Sequence, residues 1–223
     1  MIGIVGSNGL IGNYLKTVVD HTHEFNSDNI DTVKNYKFDT VYVAAPTSNR
    51  LWANANAEKD IENIHQLYMQ LNSGCVDRVI LIGTVDSILR NHVPYGHNRS
   101  WLETQLTQRF DTYILRLGAL IHPTIKKNIL YDLKHGQYLD SINLNTQIQW
   151  YDLDNLYKDI CWSLEHNVRE RNLVSEPIFN REIVQRFFPN YKLKSADAVN
   201  QSVAPYGADK QDIFQVMEKY LNV

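Results

Sequence analysis

Short apolar runs closed by turn residues alternate with segments whose apolar positions recur at three and four. Ile2-Gly3-Ile4-Val5 is the first run, and Leu10, Ile11, Tyr14, Leu15, Val18 and Val19 follow at helical spacing. A strand, a tight turn and a helix are predicted. Phe38 to Ala45 and Arg78 to Gly83 have the length and apolar character of strands covered on both faces. Between them Ile61, Ile64, Leu67, Tyr68 and Leu71 repeat at the helical period, with Gly74 as the stop. Thr112 to Gly118 makes another strand, and Val174 to Phe179 a weaker one ahead of an Asn180-capped helix carrying Ile183, Val184 and Phe187. Ile213, Phe214, Met217, Tyr220 and Leu221 share one side of a terminal helix from Asp209 to Leu221, which packs back on the body. This alternation predicts an α/β fold, a doubly wound parallel sheet of the Rossmann type.

Residues 1–122 carry that rhythm and read as the core domain. After about Pro123 it loosens, and polar connections such as Asn143 to Gln147 and Lys194 to Asp197 join short elements. Residues 123–223 are expected to give the core a last strand and helices and to form a small C-terminal substrate cap. Only ten residues separate Asp28 from Asp39, too few for a full helix–strand–helix connection, so the sheet is expected to lack an edge strand.

A length of 223 residues, against roughly 150 per domain, leaves room for one large domain or one domain with an appendage. Lys+Arg 22 against Asp+Glu 25 gives a net charge of −3, which argues against the basic field that nucleic acid or anionic lipid requires. No apolar run approaches the ~18 residues that span a bilayer, and no secretory signal is read at the start, so a cytoplasmic protein is expected. Cys75 and Cys161 lie far apart with no CxxC pairing and are read as buried thiols without a disulfide. The eight histidines show no ligand spacing, so no metal is expected. There is no G-x-S-x-G elbow for a hydrolase, and Trp150-Tyr151 reads as core or cap because no basic groove accompanies it.

The chemistry begins with Gly6-Ser7-Asn8-Gly9-Leu10-Ile11-Gly12, which spaces its glycines as GxxGxxG between the first strand and the first helix. Gly6 can turn the chain sharply, Gly9 lets a phosphate approach the backbone, and Gly12 lets the helix lie close on the sheet. A helix N-terminus there offers free N–H donors and a partial positive charge to a pyrophosphate. The same turn also occurs without a ligand. Asp28, sixteen residues after Gly12, is placed to accept from ribose hydroxyls and to repel a 2′-phosphate, which predicts NAD in preference to NADP. Its alternative is a turn aspartate in a polar loop.

Thr84 follows the strand that ends at Gly83, at the sheet edge where open α/β folds bind ligands. Tyr95 and Arg99, four apart, share one face of the next predicted helix. A hydroxyl, a phenol and a fixed cation are what proton transfer at a sugar or keto oxygen needs, provided the phenol is brought down from about 10 towards neutrality. Such a Tyr–Arg pair also occurs on solvated helix faces.

Taken together, Gly6, Gly9 and Gly12, Val43-Ala44-Ala45-Pro46-Thr47, Gly83-Thr84, Tyr95 to Arg99 with Glu103, and Leu115-Arg116-Leu117-Gly118 resemble the extended short-chain dehydrogenase/reductase family. Within it the chain is similar to nucleotide-sugar epimerases, dehydratases and dTDP-4-dehydrorhamnose reductases. The likeness covers residues 1 to about 122 and, more loosely, Tyr151 to Asn155 and Pro177 to Asn180. It implies NAD or NADP held by Gly6 to Gly12 with Ala44, Ala45, Thr47 and Leu117, a nucleotide-linked sugar as substrate, and room for a homodimer. Thr84 would orient the substrate and Tyr95 would be the general acid/base. The sequence departs from the family at two points: Arg99 replaces the lysine of YxxxK, and Asp60 stands at the helix asparagine. A dinucleotide-binding protein with little turnover, acting as a sensor or assembly partner, is therefore the second function class, and Arg99 divides the two.

Overall fold

The structure, a computed structural model, describes residues 1–222. Val43, Val79, Leu81 and Ile114, whose runs predicted strands buried on both faces, lie in one core with Ile64, Leu71, Leu102 and Leu106 from the helices. The chain runs β1 (Ile2–Val5), α1 (Leu10–Val18), β2 (His23–Phe25), β3 (Lys37–Val43), α2 (Arg50–Ala55), α3 (Ala57–Ser73), β4 (Cys75–Thr84), α4 (Asp86–Leu89), α5 (Pro94–Arg109) and β5 (Asp111–Leu117). Then come β6 (Ala119–Ile121), α6 (Ile129–His135), β7 (Gln147–Ile148), β8 (Trp150–Asp152), α7 (Leu156–Glu165), β9 (Glu170–Leu173), β10 (Ile178–Phe179), α8 (Asn180–Phe187) and α9 (Lys210–Leu221). The main sheet has six strands in the order β2-β1-β3-β4-β5-β9. Its pairings are parallel, with Gly3 opposite His23 and Val41, and Val43 opposite Leu81. This is the predicted doubly wound α/β architecture. The stretch between β2 and β3 is one short 3-10 helix, Ile30–Asn35, so β2 is the sheet edge and the outer strand is missing, as the spacing required.

The chain divides into two compact units, residues 1–116 with 157–171, and residues 117–156 with 172–223. The first holds the glycine turn and most of the sheet. In the second, Ile121, Leu130, Leu133, Trp150, Ile178, Ile183, Ile213, Phe214 and Met217 form a separate core. The one-sided pattern of Asp209 to Leu221 gives α9 as predicted, with the Asp209 side chain capping it by accepting from Asp212 N at 2.8 Å.

Three expectations need correction. The last strand of the main sheet is β9, upstream of the predicted Val174 to Phe179, and the latter contributes only β10, antiparallel to β7. As an edge strand, β9 needs no apolar run: its polar side chains are pinned by Arg116–Glu170 and Arg171–Asp159 ion pairs, and only Leu173 is buried. Cys75 and Cys161 are free and exposed, not buried. Cys75 is the first residue of β4, and Cys161 lies in α7. The cap of α8 is Phe179, whose N–H donates to Glu182 at 2.8 Å, while Asn180 is the first helical residue and donates its amide to Asn143 O. Trp150 and Tyr151 are buried, as core residues are.

Candidate functional site

The glycine turn is built by the end of β1. Gly6 takes φ +83°, the left-handed region where a side chain is strained, and the N–H groups of Gly6 and Ser7 both donate to Phe25 O, at 2.9 and 3.0 Å. Gly9 N closes the turn onto Gly6 O at 3.0 Å. A Cβ on Gly12 would stand 2.8 Å from Ser7 Cα, so only glycine lets α1 lie this close. A Cβ on Gly9 meets nothing but Gly6 O, at 3.3 Å. Asn8 and Gly9 are exposed, Leu10 and Ile11 half-buried, and Ser7 buried. Gly9 caps α1 with no side-chain hydrogen bond, and the first turn holds no carboxylate. The first N–H groups of the helix therefore have neither a capping side chain nor a carboxylate of their own first turn against them.

Ala44 and Ala45 follow β3 directly, and Ala44 N donates to Val5 O at 2.8 Å, which sets this strand end beside the turn. Asp28 lies three residues past β2, exposed, in a loop tied by Asp28 N to Asn26 Oδ1 and Asn26 N to Asn29 Oδ1, each at 2.7 Å. Leu117 is buried at the end of β5.

Thr84 is the last residue of β4. The Ser87 hydroxyl lies 2.8 Å from its carbonyl, and its own Oγ1 accepts from Asp86 N at 3.3 Å. Tyr95 starts α5 behind Pro94, with its N–H on Asn54 Oδ1 at 2.9 Å and its phenol near the Thr84 side chain. The structure thus brings the predicted hydroxyl and phenol near one another. Arg99 lies on the same face, its Cζ 4.0 Å from the Tyr95 ring centre. Its charge is already matched: the guanidinium forms a buried ion pair with Asp60 and donates through Nη2 to Thr47 O at 2.7 Å. Asn98 Nδ2 adds a hydrogen bond to the same carboxylate at 2.8 Å. Burial pushes Tyr95 above its ordinary value and outweighs the pull of Arg99, and nearby Asp86 adds to the rise.

A second buried ion pair stands behind the site. Arg116 Nε and Nη2 donate to Glu103 Oε2 at 2.9 and 2.7 Å, and Arg116 also reaches Glu170 at 2.8 Å. The Ser87 hydroxyl lies 2.7 Å from Glu103 Oε1, linking this network to α4 next to Thr84. Sequence reasoning did not find the Asp60–Arg99 partnership, the Ser87–Glu103–Arg116 network, or Asp86 with its partner Arg50 at 2.9 Å. The signal available for Asp60 was its position on α3 in register with the buried Ile64 and Leu67. Among the described residues no group of three or more His, Cys, Asp or Glu is arranged to hold a metal, and no helix is long and apolar enough to cross a membrane.

No protein-family model matches the sequence, and no curated protein does. Solved structures do match in shape. UDP-glucose 4-epimerase of Thermotoga maritima aligns over 91% of this chain and 89% of its own, with TM-score 0.70 and 9% identity. dTDP-4-dehydrorhamnose reductase of Yersinia enterocolitica aligns over 99% and 98%, with TM-score 0.68 and 13% identity. A short-chain dehydrogenase/reductase superfamily protein of Agrobacterium tumefaciens, solved with bound NAD, aligns over 100% and 95%, with TM-score 0.67 and 14% identity. With the sheet order and the glycine turn described above, these likenesses establish that the chain has the fold of the extended short-chain dehydrogenases/reductases.

Proposed function

We propose that the chain is an NAD(P)-dependent epimerase, dehydratase or reductase of a nucleotide-linked sugar, with Tyr95 as general acid/base. The observation that carries this reading is the placement of the Tyr95 phenol near Thr84 at the carboxyl end of β4, on the sheet edge that also bears the glycine turn. A phenol and a threonine hydroxyl side by side can exchange a proton with, and orient, a carbonyl or alcohol oxygen set against both. Gly6, Ser7, Asn8, Gly9, Leu10, Ile11 and Gly12 would hold the pyrophosphate, with Ala44, Ala45, Thr47 and Leu117 along the strand ends and Asp28 at the adenosine ribose. When bound, a nicotinamide dinucleotide supplies a hydride donor or acceptor. Asp28, and the lack of Arg or Lys among residues 7–11, favour NAD over NADP. Among similar structures, the T. maritima epimerase was solved with UDP-glucose, and RMD of Pseudomonas aeruginosa with NADPH, which supports this substrate and cofactor class.

A second reading, a dinucleotide-binding protein with little turnover, draws support from the closed Asp60–Arg99 pair, because the cation is engaged within the protein. The test is turnover with a panel of nucleotide-linked keto-sugars and sugars, for the wild type and Tyr95→Phe. Turnover in the wild type, lost in a variant of unchanged cofactor affinity, is expected. A wild type that binds cofactor but transfers no hydride across the panel transfers the case to the second reading.

A further inference from the structure

Asp60 and Arg99 form an ion pair in which every terminal donor is engaged. The two side chains are 1% and 6% exposed. Nη1 of Arg99 donates to Asp60 Oδ2 and, at 3.3 Å, to Tyr95 O; Nη2 donates to Asp60 Oδ1 at 3.0 Å and to Thr47 O at 2.7 Å. Asn98 completes the carboxylate. The arrangement ties α3 to the start of α5 and to the loop after β3, directly beneath the ring of Tyr95.

We propose that Asp60 is a positioning residue that governs Tyr95 through Arg99: it makes the cation beneath the phenol one end of a fixed ion pair and so withholds its charge from the hydroxyl. The inference gives the proposed acid/base role of Tyr95 its limit, and for that meaning it rests on the function proposed above. A lone guanidinium this close to a phenol favours the phenolate. With a carboxylate bound to its far side the field becomes that of a dipole, which falls faster with distance. The carboxylate facing the phenol from the other side, Asp86 on α4, is itself engaged, held by Arg50 on α2 at 2.9 Å and by Arg90 at 3.7 Å. Tyr95 thus stands between the closed Asp60–Arg99 pair and the Asp86 carboxylate with its arginines, and burial sets the direction of its titration.

The experiment is a pH titration by NMR of protein carrying 13C at the tyrosine Cζ, with the Tyr95 signal identified by its loss in Tyr95→Phe. Asp60→Asn keeps the shape and removes the charge. It should move the Tyr95 midpoint towards acid by about one pH unit or more, with Tyr42 unmoved. Because a buried guanidinium without its partner is strongly destabilising, a second variant, Asp60→Asn with Arg99→Gln, removes both charges. Its Tyr95 midpoint should rise above the wild type by less than Asp60→Asn lowers it, or by less than half a unit where Asp60→Asn does not fold. An unmoved midpoint in folded Asp60→Asn, or a larger rise in the double variant, overturns the inference. The titration uses no ligand, so these results count against Asp60 alone, whereas failure to bind any dinucleotide would count against the proposed function.

Discussion

Replacing Gly9 by valine separates what the glycine turn does for folding from what it does for binding. Gly9 has φ −76° and ψ 171°, an extended conformation open to any residue, so valine brings no backbone strain. Its Cβ would press only on Gly6 O at 3.3 Å, a contact relieved by a few tenths of an ångström. The remaining cost is that of a poor N-cap residue, about 1 kcal/mol, or a fall in Tm of roughly 2–4 °C for a chain of this size. The two methyl groups, however, would occupy the space over the first N–H groups of α1. Forcing such groups against a bound phosphate costs about 1–3 kcal/mol, which is a loss of roughly 5- to 150-fold in affinity. Calorimetric titration with NAD and NADP, beside a thermal melt, measures both quantities. Gly12→Ala is the contrast: its Cβ meets Ser7 Cα at 2.8 Å and the Gly6 carbonyl carbon at 2.8 Å, so it should lose the fold along with binding. A folded Gly9→Val protein with undiminished affinity for both dinucleotides would refute the assignment of the turn.

NAD should bind more tightly than NADP, and Asp28→Asn should narrow the ratio; a dissociation constant clearly lower for NADP in the wild type reverses this prediction. Arg116→Met leaves Glu103 buried without its partner and should cost about 3–5 kcal/mol in urea unfolding, much of it recovered when Glu103→Leu is added; equal stability of the two variants contradicts the account of that network. Tyr42, 6% exposed on β3, is pushed up to about 12 by burial. The folded state then holds its proton more tightly than the unfolded state, so its contribution is complete below pH 10 and is lost as pH rises from about 10 to 12, about 2–3 kcal/mol in all. Tyr42→Phe should flatten the fall of stability in that window, and parallel curves for variant and wild type would show that Tyr42 is not its source.

The strands β1, β3, β4 and β5 were legible because burial on both faces leaves an uninterrupted apolar run, and α1, α3 and α9 because one face is apolar at the helical period. Where polar residues are buried in pairs the pattern misleads. Arg99 and Glu103 lie on the inner face of α5, where hydropathy alone would put solvent, and their partners Asp60 and Arg116 come from other elements. No spacing rule joins Asp60 to Arg99, since they meet only after α3 and α5 have packed. β9 was misplaced by a few residues for the same reason, because ion pairs hold it. The short α2 was not foreseen: its signal is Asn49, whose side chain accepts from Trp52 N at 3.1 Å, and six residues hold too few turns to display a period. In the candidate site the glycine turn and the nearness of Thr84 to Tyr95 were readable from mechanics and order along the chain, whereas the electrostatic setting of Tyr95 was not, because it depends on which charges meet in space.

The order of strands also bears on how the sheet can be made during synthesis. On one side of β1, the strands β3, β4, β5 and β9 stand in the order in which they leave the ribosome, so no later strand has to insert between two already paired. The growing sheet therefore presents one fresh edge at a time on that side. Between Thr84 and Asp111 lie 26 residues, which at ~5–20 residues per second leave the edge of β4 open for about 1–5 s. The last addition, β9, carries Glu170 and Arg171 in ion pairs, so the finished edge is charged and poorly suited to recruit a strand from another molecule.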